Sequence, residues 1–437
     1  MRIKPFNNLI MRYATTGNFV GNTITLMVGT IIAQIISIII SPILTRLYTP
    51  NDFGVVALYI SLSSILGILA TSRYDLAIML PKEDKDAINI AILSIIITIS
   101  ISIITFITVL LFKEDIAKIL NSREIAEWLY LLPVSVAIIG IAAVVSCWAN
   151  RKSLYPILSL NKILAAAVTS GMSLMMGLLK AGANGLIIGS ILGYGTSTAV
   201  LTYRVWNLDK EKVVYVGKKA IGEQAKRYYK FPLYSLPSEL VNMAAQQSPI
   251  ILLNIFFTPT ITGFFSLTQR VLAMPIILIS QSVLSVFRDR ASKDFNAHGN
   301  CREIYLKTLK YLLLFSIGPF ITFYLISPWL FPFVYGKQWS EAGKYAQILC
   351  PLFFFRFISN PLSYVLFIME KQKFDLLGQI LLLLFSVISI SVGGHLNSPK
   401  LSIIFFSVSY SIIYIFYLVS SYHFSKGNSI LKSNRDK

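Results

Sequence analysis

Two arginines and one glutamate sit inside stretches of this 437-residue sequence that are otherwise apolar. Arg270 lies about twelve residues into the run 258–286, and Gly263, Ser266, Ala273 and Gln281 accompany it at roughly helical spacing. Arg356 falls near the middle of 343–369, with Asn360 and Ser363 at i+4 and i+7. Glu239 is about two turns into 232–256, in line with Ser235, Asn242 and Gln246, and the run 20–44 carries Thr30, Gln34, Ser37 and Ser41 at similar spacing. A guanidinium stays charged at any physiological pH and offers five donors in a planar fork. Ionisable groups near a bilayer centre are costly and face a cavity or a partner. Two arginines against one carboxylate suit an anionic ligand, and a diphosphate fits a bidentate fork. The expected binding residues are therefore Arg270, Arg356, Gln34, Asn242, Gln246 and Asn360, with Glu239 as a candidate for coupling. The plainer alternative is that the polar residues tie helices together by interhelical hydrogen bonds, and that Glu239 pairs with one of the two arginines. Lys162, about two turns into its own run, is expected to snorkel to the membrane surface.

The elements that must carry these side chains follow from composition. Hydrophobic residues make up 55% of the chain and charged ones 14%, with a mean hydropathy of +0.67; soluble domains average about 25% charged. A water-soluble enzyme, a disordered chain and a nucleic-acid binder are excluded. About 20 apolar residues span the hydrocarbon core as a helix, and runs of that length occur near 20–44, 53–72, 88–112, 128–149, 157–179 and 183–203. They continue near 232–256, 258–286, 308–334, 343–369, 374–393 and 400–422. The expected fold is an all-α membrane protein of about twelve transmembrane helices. The first 19 residues show no small-residue cleavage site, which points to a retained first helix. Cys147, Cys301 and Cys350 and the three histidines are scattered singly, so neither a disulfide framework nor a metal site is expected.

Of 39 Lys and Arg residues, 29 fall in loops on one side of this arrangement and 8 on the other. The positive-inside rule makes the richer side cytoplasmic and places both termini there. The longest hydrophilic stretch, 204–231, lies on that side. No soluble catalytic domain and no phosphate-binding loop of the G-x-x-x-x-G-K-[ST] kind is present, so neither a catalytic residue nor a cofactor is expected.

A repeat organises the spans. Thr49-Pro50-Asn51-Asp52-Phe53-Gly54, followed by Leu58, recurs as Thr258-Pro259-Thr260-Ile261-Thr262-Gly263, followed by Leu267, at an offset of 209. The basic turn Arg151-Lys152 is echoed by Lys371-Gln372-Lys373. Six spans separate the copies, which implies two parallel six-helix lobes with a substrate path between them. The offset matches Thr30 with Glu239 and Ser37 with Gln246. The expected boundaries are a lobe over 1–205, a cytoplasmic linker over 206–230, a second lobe over 231–425 and a cytoplasmic tail over 426–437.

Several motifs carry a resemblance. Arg46-Leu47-Tyr48-Thr49-Pro50-Asn51-Asp52-Phe53-Gly54 and Ser72-Arg73-Tyr74-Asp75-Leu76-Ala77-Ile78-Met79-Leu80-Pro81 resemble the polysaccharide-transporter family of bacterial O-antigen and capsule flippases. So do Phe231-Pro232-Leu233-Tyr234-Ser235-Leu236-Pro237 and the later Pro259, Gly263, Arg270-Val271-Leu272 and Pro275. The resemblance covers roughly residues 15–420 and implies twelve helices in two lobes around a central cavity. It further implies movement of an undecaprenyl-diphosphate-linked oligosaccharide from the cytoplasmic to the outer leaflet of the bacterial inner membrane, with Arg270 and Arg356 fitting the family's cationic cavity theme. The partners it implies are that lipid-linked glycan, membrane lipid, and the polymerase and chain-length machinery of the same pathway. Two rivals stand beside it. A cation-coupled multidrug antiporter of the same fold would be expected to bury more carboxylates than arginines. A polytopic O-antigen polymerase would be expected to carry catalytic residues on a large outward loop.

Overall fold

The computed structural model describes residues 19–427. The basic N-terminal stretch with Arg2, Lys4 and Arg12, and residues 428–437 of the tail, lie outside the described residues. Twelve long helices stand where the twelve apolar runs place them. The first six are α1 (Phe19–Leu47), α2 (Pro50–Thr71), α3 (Asp84–Ile119), α4 (Leu132–Arg151), α5 (Tyr155–Leu178) and α6 (Ala183–Asp209). The second six are α7 (Leu236–Phe256), α8 (Pro259–Pro275), α9 (Arg302–Tyr335), α10 (Ser340–Leu362), α11 (Gln372–His395) and α12 (Pro399–Ser425). Eleven helices among the described residues are long and apolar enough to cross a membrane. The one left out is α7, where Glu239, Asn242, Gln246, Gln247 and Asn254 break up the apolar run. The fold is an all-α, multi-pass membrane architecture.

The chain divides into two compact units, Met1–Leu240 and Val241–Lys437. Within the first, α5 packs on α1 and α6, and α4 on α2 and α3. Within the second, α10 packs on α8, α9 and α12, and α11 pairs with α12. In hydrocarbon, helix association depends on close backbone approach and interhelical hydrogen bonds, not on apolar burial. The α11–α12 hairpin shows this: Ser389 and Ser409 Oγ atoms lie 3.0 Å apart, and Ser402 Oγ donates to Ile390 O at 3.3 Å. A Cβ on Gly393 would overlap the backbone of Ser402, so only glycine permits that approach.

The T-P repeat is a pair of helix starts. Thr49 caps α2, its Oγ1 accepting from Asp52 N at 3.2 Å while Asp52 Oδ2 accepts from Thr49 N at 2.8 Å. This is a capping box with proline in the first helical position. Thr258 caps α8, accepting from Ile261 N at 3.4 Å, and again proline follows. The shared glycines Gly54 and Gly263 are both buried. The second helix of each set of six thus begins with the same device.

Prolines mark the irregular turns. A π-turn at Ile276–Ser280 follows Pro275 and joins α8 to its continuation Gln281–His298. A second π-turn, Phe231–Ser235, contains Pro232 and leads into α7. Pro361 sits one residue before the end of α10. Removing a backbone donor from the i→i−4 ladder accounts for each.

Candidate functional site

On α8, one face is fixed by packing. Phe264 makes edge contacts with Trp339 and Tyr345, Phe265 with Phe406, and Thr268 Oγ1 donates to Ala342 O at 2.9 Å. With that face turned into the second unit, helical spacing puts Ser266, Arg270 and Ala273 on another face, and Arg270 is exposed while Phe265 and Leu267 are fully buried.

Arg356, on α10, is half-buried, with its guanidinium carbon 5.8 Å from the centroid of the Phe353 ring. Tyr410 on α12 donates to Ala245 O of α7 at 3.0 Å. Among the described residues no carboxylate lies within ion-pairing distance of Arg356. Ser363 Oγ donates to Asn360 O at 3.1 Å, one turn further along. On α7, Gln246 Nε2 donates to Asn242 Oδ1 at 3.0 Å, which brings two of the expected binding residues together on one face. The buried face of the same helix is carried by Ala245, and by Ser248, whose Oγ donates to Ser386 Oγ at 2.8 Å.

Glu239 meets a basic residue other than the two arginines that the sequence singles out. Its Oε2 lies 3.7 Å from an Nη of Arg73, with the two side chains about a quarter to a third exposed. Arg73 stands in the turn after α2, where Ser72 (φ 47°) and Arg73 (φ 63°) are both left-handed. Two consecutive non-glycine residues in that region carry strain of order 1–2 kcal/mol each. The turn is held by Thr71, whose Oγ1 accepts from Arg73 N at 3.3 Å and donates to the buried Asp75 at 2.7 Å. The neighbouring Tyr74 donates to Ala225 O at 3.1 Å, and burial pushes its phenol above the usual range. Charge counting had grouped Arg73 with the loop cations; its place in the Ser72-Arg73-Tyr74-Asp75 motif was the one signal that it is special.

The polar stripe on α1 also resolves. Thr30 and Ser37 donate to their own helix, to Leu26 O at 2.9 Å and Ala33 O at 3.2 Å, and Gln34 on the same helix is half-buried. Lys162 on α5 is exposed, and its Nζ donates to Thr30 Oγ1 at 2.9 Å. A cationic side chain thereby joins the α1 stripe in the first unit. Among the described residues no cluster of His, Cys, Asp and Glu could hold a metal ion.

Comparison with known proteins agrees with this architecture. A family model described as "Polysaccharide biosynthesis protein" matches residues 43–344, more than half of the chain. The teichuronic acid biosynthesis protein TuaB of Bacillus subtilis (strain 168) is 26% identical over 151 residues; that match covers 35% of this chain and 31% of TuaB. Among solved structures, the lipid II flippase MurJ in an inward closed conformation superposes with a TM-score of 0.67 at 15% identity, over 93% of this chain and 90% of that one. An outward-facing multidrug resistance MATE family transporter of the MOP superfamily gives 0.58 at 15% identity, over 92% and 94%. These neighbours share the two-lobed helical fold and are transporters, not catalysts. With its helices arranged as in the flippase and MATE structures and the family model spanning both units, the chain belongs to the polysaccharide biosynthesis protein family.

Proposed function

We propose that the protein is a flippase that moves an undecaprenyl-diphosphate-linked oligosaccharide, an O-antigen or capsule repeat unit, from the cytoplasmic to the outer leaflet of the bacterial inner membrane by alternating access. Both termini are cytoplasmic in this reading, from the distribution of 29 against 8 basic residues. The lobes follow the duplication, 1–205 and 231–425, joined by the linker 206–230. The observation that carries the reading is Arg356: a guanidinium inside a spanning helix, over an aromatic ring, with no carboxylate to neutralise it among the described residues. A permanent charge in that position is best explained by an anionic ligand. Arg270 is its partner on the diphosphate, and Asn242, Gln246 and Asn360 supply hydrogen bonds to the sugar. The teichuronic acid pathway of TuaB is consistent with a glycan cargo.

The rival with support is the cation-coupled multidrug antiporter, because the MATE structures share the fold. Glu239, the carboxylate such an antiporter would use, is engaged by Arg73, which weakens that reading. The deciding experiment is reconstitution of the purified protein in vesicles, with transbilayer movement of a lipid-linked oligosaccharide and efflux of a cationic dye measured side by side. Glycan movement without dye efflux supports the flippase; the converse replaces it.

A further inference from the structure

The segment between α6 and α7 is more than a connector. Lys210–Tyr215 forms a 3₁₀ turn and Lys218–Arg227 a short helix. The inner face of that helix is seated on the first unit: Gln224 and Tyr228 are buried, and Ala225 O accepts from Tyr74. Its start is pinned by Asn89 of α3, which donates to Tyr215 O at 3.0 Å and accepts from Gly217 N at 3.1 Å. Lys212 is tied down as well, 2.5 Å from both Asp84 and Asp209, while Asp209 also accepts from Trp148 Nε1 at 2.9 Å. Asp84 and Asn89 belong to the first two turns of α3, and Asp209 is the last residue of α6. The segment is therefore clamped to the start of α3 and the end of α6.

Its outer face is basic and aromatic. Lys210, Lys218, Lys219, Lys226, Arg227 and Lys230 are all exposed, against the exposed acids Glu211 and Glu223. Between them, Val214 is 85% exposed, Tyr215 58% and Tyr229 51%. Exposed tyrosines and valine interleaved with lysines are ill suited to bulk water, yet match the headgroup zone, where aromatic rings and basic side chains both settle. A positive-inside bias explains the sign of the charge. It does not explain why the cations share one outward face with exposed rings while the opposite face is locked to the first unit.

We propose that the strap 210–230 is a docking surface for anionic phospholipid headgroups, fixing the first unit to the charged surface of the bilayer. Attraction of a polybasic segment to such a surface falls away within a screening length. The probe is the full chain with Gly222→Cys, a position where an added side chain meets nothing within 4 Å, labelled with a polarity-sensitive fluorophore in a background free of the native cysteines. Reconstituted into phosphatidylcholine vesicles with and without phosphatidylglycerol, it should be quenched by a headgroup-linked quencher only when the anionic lipid is present. Replacing Lys218, Lys219, Lys226 and Arg227 by glutamine should reduce the apparent affinity for phosphatidylglycerol at least about tenfold. About 1 M salt should do the same to the unmodified strap, which covers the case where that variant does not fold. Equal quenching in neutral and anionic vesicles, or no effect of salt, overturns the proposal. A response to a polyprenyl diphosphate but not to phosphatidylglycerol also overturns it, and would make the strap a capture site for the transported lipid.

Discussion

Arg356→Ala separates a ligand-binding arginine from a structural one, because the two roles predict losses in different places. Within the protein, the guanidinium stacks 5.8 Å from the Phe353 ring, a contact of about 0.5–1 kcal/mol when exposed and about 2 when desolvated. No ion pair is broken among the described residues, so the cost of an orphaned buried charge does not arise. The fold should therefore survive with a small loss of stability and normal abundance. Against a diphosphate, the same side chain makes two charge-assisted hydrogen bonds of about 1.5–3 kcal/mol each. Losing both removes about 3–6 kcal/mol, which is a hundredfold or more in apparent affinity. Arg356→Lys keeps the charge but gives up one directed bond, a loss of about 10- to 150-fold. The assay is movement of a lipid-linked oligosaccharide in reconstituted vesicles, read beside thermal unfolding and membrane abundance. Arg270→Ala should also lower transport, and the double variant should lose less than the two single losses combined if both residues grip one diphosphate. Normal transport at normal abundance in both alanine variants would refute the anionic-cavity reasoning, and a matched fall in abundance and transport would make the arginines structural.

Other expectations follow from the geometry. Glu239→Gln and Arg73→Gln should each lower transport while leaving abundance near normal, since a partly exposed pair at 3.7 Å contributes about 0.2–1 kcal/mol; a double-mutant cycle on transport with no coupling between them would sever that link. Transport by Glu239→Gln, followed across pH, decides whether the carboxylate titrates during the cycle, an unchanged profile leaving it a structural residue. Lys337→Cys should react with an impermeant thiol reagent from outside intact cells and Lys218→Cys should not, with Gly336 left alone because its φ of 105° favours glycine. Native Cys301 should stay silent in that assay, being 1% exposed with its thiol pushed up to about 11 by burial and the nearby Asp294. Gly393→Ala should lower the unfolding temperature by the equivalent of about 1–3 kcal/mol because its Cβ meets the Ser402 backbone. Gly171→Ala, with nothing within 4 Å of the added methyl, should be neutral or mildly stabilising.

What the sequence determined by itself is everything that depends on local pattern. Apolar runs of span length fixed the helices because a chain in hydrocarbon must satisfy its backbone internally. The T-P repeat located two matching helix starts, since a capping threonine and a proline at the first helical position act through neighbours only three residues away. Arg270 and Arg356 were legible because a charged residue in an apolar run stands out whatever surrounds it. What only the tertiary structure decided is which side chain meets which. Glu239 pairs with Arg73 because two left-handed residues, Ser72 and Arg73, aim a turn far away in the sequence toward the start of α7. Lys162 reaches Thr30 because α5 packs along α1, and α7 proved too polar to count among the apolar spans while still forming a helix. Those pairings come from helix packing and backbone strain, and neither leaves a periodic mark in the sequence, because distant residues are brought together by the same fold that hides their relation along the chain.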